Sequence, residues 1–108
     1  VDGQTHGNIY AGLSQALVEH IVHDQSGVVT NSVGLDYGSI RPSRLPLFDV
    51  ARTETTTPNT PHGGKGAGDV AINGVPPAVV RAVCNAIGVK HIDTPLTPEK
   101  VWMAMQSK

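Results

Sequence analysis

Four glycines fall within the seven residues from His62 to Gly68, and the run closes on a single carboxylate, Asp69. Without a Cβ the backbone enters regions closed to other residues and comes close to a neighbouring group, so the stretch His62-Gly63-Gly64-Lys65-Gly66-Ala67-Gly68-Asp69 reads as a loop that faces a ligand. A hydrophobic segment, Val70 to Val75, then leads into Pro76 and Pro77, which suit the first turn of a helix. One acid is thereby presented between a pliant loop and a helix. The plainer reading of the same residues is a glycine-rich surface connection.

Taken in order, the chain opens with an amphipathic helix expected from Gly3 to His23. Ile9, Leu13, Ala16, Leu17 and Ile21 recur at three- and four-residue steps, with Gln4, Asn8, Gln15 and Glu19 on other faces. Gly7 and Gly12 each weaken a helix interior by about 1 kcal/mol relative to alanine, which implies that something packs close to this helix. Asp24 to Gly27 reads as a turn and Val28 to Thr30 as a short strand. Residues 31–46 lack periodicity, and Asp36-Tyr37 within them reads as a structural pair whose tyrosine hydroxyl is satisfied by a nearby polar group. The best strand is Leu47 to Glu54, expected to pair with Val28–Thr30 or with a sheet outside this chain. Thr55 to Pro61 is a loop that delivers the glycine segment.

A second helix is expected from Pro77 to Ile87, closed by Gly88, and a third from Pro98, capped by Thr97. Val101, Trp102 and Met105 give the third an apolar side, with Trp102 expected to pack on the domain. The fold class is therefore α+β: three helices with a small number of short strands in one compact domain spanning 1–108.

His20, His23 and Asp24 raise the question of a metal. Their spacing brings no further fixed ligand, so none is expected. Cys84, the one cysteine, excludes an internal disulfide and a cysteine-held iron–sulfur cluster. It reads as a small core residue, because Val83 and Ala86 supply no base to activate a thiolate. Eight basic against nine acidic residues give a net charge of −1, which offers no field for nucleic acid or an anionic membrane. No secretory signal pattern and no apolar run of about 20 residues is present, so the expected location is cytoplasmic.

Several blocks, seen in order, resemble one family. They are Val1-Asp2-Gly3-Gln4 with His6-Gly7, Gly12 to Glu19, Asp36-Tyr37, Lys65 to Asp69, and His91 to Trp102. Together they are similar to the C-terminal end of the large subunit of the xanthine dehydrogenase, aldehyde oxidoreductase and carbon monoxide dehydrogenase family, the molybdenum hydroxylases. The resemblance implies a molybdenum–molybdopterin cofactor in the full assembly, oxidising aldehydes, N-heterocycles or similar substrates. It implies that Lys65, Gly66, Ala67 and Gly68 face that cofactor, joined by Gln4, whose amide both donates and accepts hydrogen bonds. A solvated or helix-capping role is the plainer reading of Gln4. The catalytic base is matched by Asp69, where the family carries glutamate. The large subunit is several times longer than this chain, so the remaining domains or subunits are the expected partners, and the isolated chain is expected to hold no cofactor and to be inactive. Two alternatives stand beside this reading: a non-catalytic accessory domain, and a structural domain that forms a homo-oligomer, most simply a dimer, through the faces of Ile9, Leu13, Leu17, Val101, Trp102 and Met105.

Overall fold

The computed structural model describes residues 1–107, the side chain of Leu35 excepted. Helix α1 runs Asp2–Leu17, α2 is a single turn Gly34–Tyr37, a 3-10 turn covers Pro42–Arg44, α3 runs Val75–Ile87 and α4 runs Pro98–Gln106. The three long helices are those expected, and they share one core. Cys84, Ile92 and Leu96 are buried, with Leu17, Val80, Ile87, Val89 and Val101 packed around them.

Helix α1 and helix α3 lie against each other along a line of which the apolar periodicity marked only Ala16. Asn8, Gly12 and Ala16 are buried at four-residue spacing, and Ser14 beside them is fully buried, whereas Ile9 and Leu13 are half-exposed. Gly12 is required there. A Cβ at this position would sit 2.6 Å from the Cβ of Val75, the first residue of α3. Gly7, by contrast, has open space around it.

The first helix ends at Leu17, six residues short of the expected His23. Local turn chemistry outweighs the helical periodicity. Asp24 Oδ1 accepts from Ser26 N at 2.8 Å, Ser26 Oγ at 2.7 Å and Val28 N at 3.0 Å, and Gly27 takes a φ of 82°. These contacts hold a turn whose arms exchange Asp24 N→Val28 O at 2.9 Å and Thr30 N→Val22 O at 2.8 Å. The Ser26 hydroxyl, ahead of the Val28 amide, holds the Asp24 carboxyl below its usual range. Leu96 N donates to Ala16 O at 2.7 Å and so satisfies a carbonyl at the end of α1. Glu19 Oε2 accepts from the Tyr37 hydroxyl at 3.1 Å, which ties α2 back to this end of α1.

The expected strands are not formed. Among the described residues there is no sheet, only one isolated antiparallel bridge between His23 and Val29. Leu47–Glu54 carries the alternation of a strand but finds no partner among the described residues, and Val28–Thr30 is engaged by its own turn. Helix α3 starts at Val75 with its prolines in the first turn and ends on Gly88, whose amide and that of Val89 donate to Cys84 O. Thr97 caps α4 by accepting from Lys100 N. Trp102 does not pack on the domain as expected: it is 62% exposed, because α4 turns Val101 and Ala104 inward and Trp102, Met103 and Met105 outward. The radius of gyration is 17.5 Å, against about 13 Å for a self-contained domain of 100 residues. The difference fits a chain in which residues 45–74 contribute nothing to the buried helical core.

Candidate functional site

The glycine run forms one wall of an open cleft of about 610 Å³. Residues 52–56 form the other wall, with Val1 and Val70 at its ends. The two walls are tied by a small set of local bonds. Thr57 N donates to Gly63 O at 3.2 Å, Gly63 N to Thr60 O at 3.1 Å and Thr60 Oγ1 to Gly64 O at 3.0 Å. Gly63 makes the reversal with a φ of 66°, and a Cβ there would lie 2.8 Å from Thr56 Cβ. Lys65 reaches across the cleft, its Nζ donating to Thr55 Oγ1 at 2.9 Å.

Beyond this reversal the loop offers donors. Among the described residues, the amides of 64–69 meet no protein acceptor at hydrogen-bond distance. Buried backbone donors are almost always paired, so an unpaired run is stable only when it faces water or a ligand. Arg52 adds positive charge to the facing wall and lies 3.5 Å from Asp2, both side chains being largely exposed. Free amides with Lys65 and Arg52 suit a polar, anionic group laid along the loop.

Of the residues singled out from sequence, Lys65, Gly66 and Ala67 line this cleft together. Gly68 and Asp69 lie at its exit, exposed, in the turns that lead into α3. Gln4 is exposed on the first turn of α1 and does not line the cleft, although Val1 does. Sequence reasoning missed Arg52, Thr55 and Thr56 as wall residues. The signal was the threonine run at 55–57, whose hydroxyls are short enough to bond backbone and lysine in a tight reversal. His20, His23 and Asp24 are all exposed, and no group of three or more metal-ligating side chains comes together among the described residues. Cys84 is 2% exposed in the helical core, consistent with a packing role. No helix of the described residues is long and apolar enough to cross a membrane.

No protein-family model matches the sequence. Individual relatives do. The chain is 33% identical over 104 residues to the nicotine 6-hydroxylase large subunit of Paenarthrobacter nicotinovorans, covering 94% of this chain and 13% of the relative. It is 36% identical over 102 residues to a putative xanthine dehydrogenase molybdenum-binding subunit of Escherichia coli, covering 94% of this chain and 14% of the relative. The fold of quinoline 2-oxidoreductase from Pseudomonas putida superimposes with a TM-score of 0.88 at 30% identity, over 99% of this chain and 14% of that one. This chain is homologous to molybdenum hydroxylase large subunits. The chain thus spans about a seventh of the length of these molybdenum hydroxylase relatives. A copper- and molybdenum-containing carbon monoxide dehydrogenase shares the fold at a TM-score of 0.85 and 25% identity, again over 14% of its length.

Proposed function

We propose that this chain supplies one wall of the cofactor site of a molybdenum hydroxylase and acts only together with the rest of a large subunit. The observation that carries the reading is the cleft, where a loop of unpaired amides lies beside Lys65, held across the cleft by Thr55, in a segment that matches a seventh of much longer relatives. When bound, a molybdenum–molybdopterin group would supply the electron sink for oxidation of an aldehyde, an N-heterocycle or a similar electron-poor carbon. The chain's own residues hold and orient. Amides 64–68 and Lys65 bind polar edges of the group, and Arg52 balances its charge from the facing wall.

Asp69 is the residue proposed to accept a proton. It stands at the loop exit with its carboxylate in solvent, where a covering domain would enclose it. An aspartate is one methylene shorter than the glutamate of the family, which draws the carboxylate back by about 1.5 Å. Misplacement on that scale costs about a hundredfold in rate. The test is complementation with the remaining part of a related large subunit, comparing Asp69 with Asp69→Glu and Asp69→Asn. The expected outcome is that glutamate raises turnover at least about tenfold, equivalent to ~1.4 kcal/mol of barrier, and that asparagine abolishes it. Equal rates for all three would remove Asp69 from the chemistry. The accessory or self-associating readings draw on the outward face of α4, where Trp102, Met103 and Met105 are exposed. They require the chain alone to be a stable dimer, or to bind its target without molybdopterin.

A further inference from the structure

The segment that looked most like a strand is the one with the least backbone pairing. Among the described residues, no amide or carbonyl from Leu47 to Glu54 takes part in a hydrogen bond. Its side chains nevertheless sort with a period of two. Phe48 and Val50 are half-buried, Phe48 lying 5.8 Å from the His6 ring of α1, and Arg52 pairs with Asp2 of the same helix. Leu47, Asp49, Ala51 and Thr53 are all exposed, Leu47 completely. Phe48 and Arg52 on one face of the segment therefore meet α1, and the other face is open. Both backbone edges are left without partners. Val, Phe and Thr at these positions favour a pleated strand, and Pro46 is tolerated at a strand's first residue.

Such an edge is a template for another strand. The helical core cannot supply one, since the bridge at His23 and Val29 is the sole pairing among the described residues. The relatives, about seven times longer, have room for one outside the matching segment.

We propose that residues 47–53 become a β-strand by adding to an open sheet edge in the rest of the large subunit, with Phe48 and Arg52 still held against α1. The inference rests on the subunit reading above and names the surface through which that assembly forms. It also places the cleft, because residues 52–56 continue the same segment: docking the strand would fix the wall that faces the glycine loop.

Amide hydrogen exchange tests it. The chain is measured alone and after assembly with the Pseudomonas putida quinoline 2-oxidoreductase chain from which the matching segment has been removed. The expected result is fast exchange for 47–53 in the chain alone and exchange slowed at least about a hundredfold in the assembly, at every second amide if one edge pairs and at all if both do. Assembly with 47–53 still exchanging freely overturns the strand and leaves the subunit reading standing. Failure to assemble at all overturns both. Protection of the isolated chain that grows with its concentration would show pairing with a second copy instead, and also overturns the proposal.

Discussion

Replacing Gly12 by alanine tests how closely α1 and α3 approach. The added methyl carbon would lie 2.6 Å from Val75 Cβ, 2.9 Å from Val75 Cγ1 and 3.3 Å from Pro76 Cδ. Carbon atoms rest at about 3.5–4.0 Å, so the start of α3 must retreat by roughly 1 Å. Val75 has little freedom to yield, because the nearest atom is its Cβ, fixed to the backbone, and Pro76 follows directly. Overpacking of this kind costs about 1–3 kcal/mol. Against it stands the gain of about 1 kcal/mol from removing a glycine inside a helix. Gly7→Ala separates the two effects, since Gly7 lies in the same helix with nothing within 4 Å of its would-be Cβ. It should stabilise by about 0.5–1 kcal/mol. The difference between the two variants cancels the helix gain and leaves the clash, about 1–3 kcal/mol in favour of Gly7→Ala. Urea titration with an unchanged slope measures it. Stabilities within about 0.5 kcal/mol of each other would refute the close approach, since that is the range of a surface change.

Three further outcomes follow from named contacts. The hydrogen bond to Glu19, with partial burial and the carboxylate's charge behind it, raises the Tyr37 pKa above its ordinary 10.0. Folding therefore favours protonated Tyr37; its contribution is fully present below pH 10.0 and is lost as pH rises through the raised folded value. Tyr37→Phe should remove this alkaline component from a plot of urea midpoint against pH, and an unchanged plot would count against the contact. Thr97→Ala removes the side-chain cap of α4 and should cost about 1 kcal/mol, read by thermal unfolding; no loss would mean that Pro98 alone starts the helix. Cys84, being buried, should react with a thiol reagent only as fast as the core opens, and a native rate equal to that in strong denaturant would place it outside the core.

Patterns that depend only on neighbours along the chain were readable from sequence. The prolines at 76 and 77, Gly88 and the Thr97-Pro98 pair mark helix ends by the donors they lack or the φ they permit; α3 begins and ends, and α4 begins, within two residues of those marks. The glycine loop was legible for the same reason, and so was the homology, which rests on short blocks of residues in a fixed order. Tertiary structure decided the rest. The buried line Asn8-Gly12-Ala16 has only Ala16 in the apolar pattern, because burial at Gly12 comes from how near α3 can stand. His23 was lost from the first helix to a turn held by one aspartate side chain, a contest of local hydrogen bonds that periodicity does not weigh. Arg52 and Thr55 joined the cleft only because the reversal at Gly63 folds the glycine run back over them. The strand pattern at 47–54 is the clearest division between the two: side-chain alternation is written in the residues, but a strand exists only where another strand completes its backbone hydrogen bonds, and no segment among the described residues does so.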